Sequence, residues 1–255
     1  MSRFTSGRHE NGQNFLKDHQ IINRLTQEIN NTQGAILEIG GGAGAISRQL
    51  AKLGRELTIV EYDPRFADRL QRALAGSAQI VLADYLDYRM PSSIDVVVGN
   101  LPFHLTTAIL RKLLNEPDWQ YAVLLTQWEV ARRRTAVGGA SLLTAQVWPW
   151  FEFTLLAKVP AQAFMPRPSV DGGLFSIERR QQPLVPIDSV SKCSYRNFVQ
   201  RVFTGPGRGI SQILWKTQGR KPPTSLLGEL RLPPAALPRE LNAEQWAALW
   251  RATRR

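Results

Sequence analysis

The residues with the most direct chemical potential are Asn100-Leu101-Pro102-Phe103. They follow the apolar run Val96-Val97-Val98, which reads as the end of a buried strand. A turn of this kind offers a side-chain amide, backbone carbonyls and an aromatic face to one spot. An exocyclic amino group on a planar base requires that set: carbonyl oxygens accept its hydrogens, and Phe103 can stack on the ring. The competing reading is an ordinary turn, since Asn and Pro are common turn formers. Four residues alone do not decide between the two.

The elements that must position this turn can be read in order. Gln20 to Asn30 carries Ile21, Ile22, Leu25 and Ile29 at helical spacing. Ala35-Ile36-Leu37-Glu38-Ile39 reads as a short buried strand that runs into Gly40-Gly41-Gly42-Ala43-Gly44. A helix is expected from Ala45 to Leu53, ended by Gly54. Leu57 to Val60, Gln79 to Leu82 and Ile94 to Val98 are further strands, with a helix from about Phe66 to Ala75 among them. Strands alternating with helices imply a parallel sheet covered by helices. Thr106 to Leu114 reads as a helix, Ala122 to Thr126 as a strand, and Glu129 to Arg134 as a basic helix. Strands are expected at Trp148 to Ala157 and Gly172 to Ile177, separated by Met165-Pro166-Arg167-Pro168. With no long helix between them, they suggest an antiparallel hairpin at a sheet edge. A linker near 178–187 then divides a domain at 1–178 from a small, mostly helical one at 179–255, with helices at Tyr195 to Phe203 and Ala243 to Trp250. Trp215 and Trp250 are expected in the core of that second part.

The glycine cluster follows a strand and opens a helix, so its backbone can pass close to a bound nucleotide. Gly40 and Gly42 are the expected contacts. Glu61 ends the next strand, at the separation from the glycines where an acid meets a ribose hydroxyl in doubly wound nucleotide-binding folds. Asp84, after the third strand, can accept from an adenine amino group, and Tyr62 and Tyr85 can flank the ring. A nicotinamide dinucleotide and S-adenosylmethionine both suit such a site. The pattern Glu-x-Gly-x-Gly-x-Gly, with Glu38 inside it, favours S-adenosylmethionine over the Gly-x-Gly-x-x-Gly of a dinucleotide site. Solvated strand-end acids are the plainer reading of each acid taken singly.

Composition narrows the class. Hydrophobic residues make up 43% of 255, enough for a core. Cys193 is the only cysteine, which leaves no intramolecular disulfide framework and fits a reducing, cytoplasmic setting. The polar first twenty residues do not read as a signal peptide, and no apolar run approaches membrane-spanning length. His9, His19 and His104 lack ligand spacing, so no metal is expected. Net charge is +11, of which +10 lies from Arg179 onward. That asymmetry is the footprint of a polyanion-binding module. Arg132, Arg133, Arg134, Arg196, Arg201 and Arg208 are the candidate phosphate contacts of a bound nucleic acid, against the alternative of a solvated basic face.

These blocks resemble, in order, those of the ribosomal RNA adenine dimethyltransferases. Gly12-Gln13-Asn14-Phe15-Leu16 is similar to the segment before that family's methyltransferase body. The glycine loop, Val60-Glu61-Tyr62-Asp63, Ala83-Asp84-Tyr85, the Asn100 turn and Phe164-Met165-Pro166-Arg167-Pro168-Ser169-Val170-Asp171 follow. The resemblance covers about residues 8–180. Arg8 to Phe15, Trp148-Pro149-Trp150-Phe151 and Val170-Asp171-Gly172-Gly173-Leu174 look like the Erm-type branch, which modifies one adenine of large-subunit RNA and gives macrolide resistance. The other branch modifies two adjacent adenines of small-subunit RNA during ribosome maturation. A non-catalytic nucleic-acid-binding relative is the third alternative. Phe103 stands where many members have Tyr, so stacking is kept and a phenolic hydrogen bond is not.

The resemblance implies a Rossmann-like methyltransferase fold with a mostly parallel seven-stranded sheet and a small helical C-terminal domain. It implies cofactor contacts at Asn14, Leu16, Gly40, Glu61, Asp84 and Asn100. Methyl transfer from S-adenosylmethionine to adenine N6 would then fall to Asn100, Leu101, Pro102 and Phe103. A monomer acting on an unpaired adenine of protein-free or early-assembly RNA is expected.

Overall fold

A computed structural model describes residues 14–219 and 224–253. Arg8 to Gln13 of the opening block, His9 included, lie outside the described residues. The chain begins with β1 (Phe15–Leu16), α1 (His19–Asn30), β2 (Ala35–Ile39) and α2 (Ser47–Leu50). It continues through β3 (Leu57–Glu61), α3 (Pro64–Ala73), β4 (Gln79–Leu82), β5 (Ile94–Asn100), α4 (Thr106–Leu113) and β6 (Tyr121–Gln127). Next come α5 (Trp128–Arg134), α6 (Leu142–Val147), β7 (Phe151–Val159), β8 (Phe164–Met165) and β9 (Gly172–Arg179). Four helices follow: α7 (Ser189–Phe203), α8 (Ile210–Gln218), α9 (Thr224–Glu229) and α10 (Ala243–Thr253).

Seven strands form one sheet in the order β4-β3-β2-β5-β6-β9-β7. The first five run parallel, and β9 lies antiparallel on β6. Strands β2 and β3 are buried along their whole length, as strands covered by helices on both faces must be. The helices start where the sequence provides caps. Asp18 accepts from the Gln20 and Ile21 amides at 2.9 and 3.2 Å, and Asp63 opens α3 with Pro64 in its first turn.

The strand order sets the position of the site. From β2 the chain builds outward through β3 to β4, then returns to place β5 on the other flank of β2. Ligands bind at such a switch point, outside the carboxyl ends of the strands. Ile39 pairs with Gly99 across β2 and β5, so Gly40 and Asn100 leave the sheet side by side.

A second, smaller sheet joins distant segments. β1 pairs antiparallel with β8, Phe15 opposite Met165 and Leu16 opposite Phe164, and the Lys17 amide donates to the Ala163 carbonyl at 2.8 Å. Leu16 and Phe164 are both buried.

The chain forms two compact units, one of 14–131 with 154–178, the other of 132–153 with the residues from Arg179 onward. The sequence reading placed its division at 178/179 and left 132–153 with the sheet. Counted on the structural division, the second unit carries net charge +12 and the first −2. Inside the second unit Tyr195 stacks edge-on against Trp150 and Trp250, and its hydroxyl donates to the Ala145 carbonyl at 2.9 Å.

Several local expectations change. Ala45 to Leu53 is a four-residue helix followed by a tighter turn, closed by Gly54 at φ +66°. Trp148 does not begin a strand; it caps α6, and its strand starts at Phe151. Trp250 is buried, but Trp215 is 49% exposed, contrary to the core placement expected for it. The packed stripe of α8 is Ile210, Ile213 and Leu214, and Trp215 falls one residue past it. Among the described residues no helix is long and apolar enough to cross a membrane.

Candidate active site

Asn100 is the last residue of β5, and a single hydrogen bond defines its side chain. Its Nδ2 donates to the Asn14 carbonyl at 2.7 Å. A backbone carbonyl can only accept, so the amide nitrogen must face Asn14 and Oδ1 must face the other way. The Leu101 amide donates to the Leu125 carbonyl at 2.9 Å, which ties the turn to β6. The Pro102 carbonyl accepts from the Leu105 amide at 3.0 Å and from the Thr106 hydroxyl at 3.1 Å. Phe103 meets Phe164 edge to face, ring centroids 6.5 Å apart. The β1–β8 ribbon thus brings Asn14 to the turn from one end and Phe164 from the other. Phe164 lay within a recognised sequence block, but nothing in the spacing announced this contact.

The glycine loop is held by Glu61, whose carboxylate accepts from the Gly42 amide at 2.7 Å and the Asp63 amide at 2.9 Å. Gly42 has φ +50°, and a Cβ there would lie 2.9 Å from the Phe15 ring. Phe15 in turn packs edge-on against Phe66 at 5.2 Å. Phe15 is therefore a wall of the loop that sequence spacing did not single out. At Gly40, with φ +74°, a Cβ would meet nothing within 4 Å: this residue borders open space.

Beneath the loop Glu38 is 1% exposed, and its Oε2 has no hydrogen-bond partner among the described residues. Burial raises its pKa to about 8, and the Glu61 carboxylate pushes the same way; the Ser47 hydroxyl opposes both. Near pH 7 this acid is mostly neutral.

Asp84 Oδ1 accepts from the Leu86 amide at 2.8 Å. The two tyrosines expected to flank an adenine are not equivalent. Tyr62 is 43% exposed, whereas Tyr85 is buried, with Lys112 Nζ 5.5 Å from its ring centroid. Desolvation raises the Tyr85 pKa above its ordinary value. His19 and His104 are exposed.

The candidate RNA contacts all fall in the second unit, but in different settings. Arg133, Arg201 and Arg208 are exposed. Arg132 donates to the Val137 carbonyl at 3.3 Å. Arg134 is turned into the fold, where it donates to the Ser141 hydroxyl. Arg196 lies half-buried over the Trp150 ring.

Comparison with known proteins decides what kind of site this is. Residues 4–249 match the ribosomal RNA adenine dimethylase family. The chain belongs to that family. Among its relatives is an rRNA adenine N-6-methyltransferase of Corynebacterium diphtheriae, 49% identical over 84% of this chain and 84% of its own length. Mycinamicin-resistance protein MyrB of Micromonospora griseorubida is 46% identical over 97% of this chain and 79% of its own length. The crystal structure of the 23S rRNA methyltransferase ErmE superposes with a TM-score of 0.85, at 32% identity, over 95% of this chain and all of that one. As a ribosomal RNA adenine dimethylase the protein is an rRNA adenine methyltransferase that uses S-adenosylmethionine. The residues present fit this cofactor. Gly40 leaves room at the loop, Glu61 has lone pairs beyond those given to Gly42 and Asp63, and Glu38 keeps a buried oxygen unpaired.

Proposed function

We propose that this protein methylates N6 of a specific adenine in large-subunit (23S) ribosomal RNA, to the mono- or dimethyl form, and so confers macrolide-type resistance. The names of the relatives at 49% and 46% identity, one a resistance protein, support that branch over small-subunit maturation. The observation that carries the chemistry is the fixed amide of Asn100. With Nδ2 committed to Asn14, Oδ1 is aimed as an acceptor at the end of β5, beside the glycine loop.

The cofactor, held by Asn14, Leu16, Gly40, Gly42, Glu61, Tyr62, Asp84 and Asn100, supplies an electrophilic methyl group. The remaining work belongs to the turn. An exocyclic amine is a poor nucleophile because its lone pair is delocalised into the ring. Asn100 Oδ1 and the Leu101 carbonyl accept its two hydrogens, which favours a tetrahedral nitrogen and directs the lone pair out of the ring plane. Pro102 restricts the turn through its φ. Phe103 stacks on the extruded base, a contact of about 1–3 kcal/mol in single-strand binders, and Phe164 braces Phe103 from the side. Tyr85, beside Asp84, is the second tyrosine expected at the adenine, from a more buried position than Tyr62. The amine proton leaves after transfer, so no base with a tuned pKa is needed.

A paired base cannot enter such a pocket, so the target is an unpaired adenine in a loop of protein-free or early-assembly RNA. The second unit is the RNA-binding domain, with Arg132, Arg133, Arg196, Arg201 and Arg208 on phosphates. The enzyme acts in the cytoplasm as a monomer. The test is methyl transfer from labelled S-adenosylmethionine to purified large- and small-subunit RNAs, mapped by reverse-transcription stops. A label confined to one large-subunit adenine is the expected result. Label on adjacent small-subunit adenines would move the protein to the maturation branch and overturn the reading.

A further inference from the structure

The turn that carries Asn100 and Phe103 is held by a pair of buried hydroxyls. The φ of Pro102 is set by its ring, so the direction of its carbonyl fixes the one soft dihedral left to it, and with that the position of Phe103. This carbonyl accepts from the Leu105 amide at 3.0 Å and from the Thr106 hydroxyl at 3.1 Å. Thr106 Oγ1 also lies 2.9 Å from Thr126 Oγ1. Counting hydrogens settles the direction of that second bond. A carbonyl can only accept, so the single hydrogen of the Thr106 hydroxyl is committed to Pro102. Thr126 must therefore donate, and the chain of bonds runs from Thr126 through Thr106 to the Pro102 carbonyl. The helical bond alone would mean little, since a threonine often donates to the carbonyl four residues back. Thr126 sets this pair apart, because it comes from β6, 20 residues further along the chain. Its neighbour Leu125 accepts from the Leu101 amide at 2.9 Å, so two successive residues of β6 hold two successive residues of the turn. Thr106 is 1% and Thr126 0% exposed. A buried hydroxyl is costly unless it is bonded, and valine has nearly the same shape. Packing alone would be served by two valines; the hydroxyls add direction.

We propose that Thr106 and Thr126 are positioning residues for methyl transfer: together they hold the Pro102 carbonyl and so aim Phe103 at the target adenine. This rests on the reading of Phe103 as the residue that stacks on the extruded base. Phe164 limits the Phe103 ring from its side, whereas the hydroxyl pair fixes the backbone from which that ring projects. The turn is thus oriented twice. The Asn14 carbonyl directs the Asn100 side chain, and the two threonines direct the Pro102 carbonyl. Hydrogen bonds in a chain polarise one another, so the Thr126 hydroxyl strengthens the bond that Thr106 makes. Removing Thr126's hydroxyl leaves that inner bond in place but weaker, and removing Thr106's abolishes it.

Two readings on Thr106→Val, Thr126→Val and Thr106→Ser test this, with melting curves and S-adenosylmethionine affinity as controls. The first is single-turnover methylation at saturating RNA. The second is the ratio of affinities for a transcript carrying the adenine that wild type methylates and for one abasic at that position. That ratio reports the grip on the base apart from chemistry, and a loss of fold stability alone would not move it. Thr106→Val is expected to lower kcat about ten-fold, the rate equivalent of one hydrogen bond, with S-adenosylmethionine affinity unchanged. Its affinity ratio should fall about three-fold from the wild-type value, because the base is stacked less well. Thr126→Val should lower kcat by a smaller factor, about three-fold. Thr106→Ser keeps the hydroxyl and should restore both readings. Wild-type kcat and affinity ratio in folded Thr106→Val overturn the proposal, as does a serine variant as slow as the valine one. Should Thr106→Val not fold, Thr126→Val decides by the same two readings. Failure of wild type to methylate any large-subunit adenine would instead sink the functional reading, so the two failures are distinguishable.

Discussion

Asn100 matters through direction. Its nitrogen is tied to the Asn14 carbonyl, and only for that reason is its oxygen a fixed acceptor. Asn100→Ala is expected to lower kcat by at least about 100-fold, the usual loss when a preorganised polar group is removed, while RNA affinity is largely kept. A single-turnover assay at saturating RNA with a parallel filter-binding curve checks both; full turnover in the variant would end the assigned role. Glu38 makes a different prediction. Its folded pKa of about 8 stands above the ordinary 4.5, so the folded state holds the proton more tightly than the unfolded chain. The sign follows: the penalty is absent below pH 4.5, grows as pH rises, and levels off above about 8. Glu38→Gln, neutral throughout, should therefore gain on wild type in urea melts of the cofactor-free protein between pH 5 and 8. A stability difference that does not change with pH would refute the shift.

The β1–β8 ribbon and the glycine loop are where short elements govern the site. Phe164 is buried and edge-on to Phe103, so Phe164→Ala should cost about 3–5 kcal/mol and also lower kcat by loosening the stacking residue. Phe164→Leu, which keeps most of the volume, should recover stability but not the full rate. Gly42→Ala adds a Cβ 2.9 Å from the Phe15 ring at φ +50°, and calorimetry should show weakened S-adenosylmethionine binding with RNA affinity intact. Much of this was legible in the chain. Alternating apolar runs and glycines marked β2, β3 and β5 with their loops, because a strand buried on both faces leaves a local apolar signature. The adjacency of β2 and β5 was not legible, since strands 59 residues apart in their first positions pair only through the tertiary fold. Nor was α6, whose six residues Leu142–Val147 are too few for a helical period to declare itself before the Trp148 turn. The unequal burial of the two tyrosines was not legible either, since Tyr62 and Tyr85 each follow a strand-end acid and differ only in their tertiary surroundings.

Taken whole, the molecule separates its charge. A unit at −2 carries the cofactor loop and the Asn100 turn, and a unit at +12 carries all the candidate phosphate contacts. The KM for RNA should therefore rise steeply between 50 and 200 mM salt, while the affinity for S-adenosylmethionine changes little, since counterion release accompanies the polyanion. Parallel rises in both would show that salt acts on the fold and not on RNA. The ribbon between Phe15–Leu16 and Phe164–Met165 also bears on how the protein is made. At about 5–20 residues per second, the segment that holds Asn100 in register is made roughly seven to thirty seconds before its partner strand exists. For that interval β1 has nothing to pair with, and the growing chain cannot yet carry out the modification on the machine that is making it.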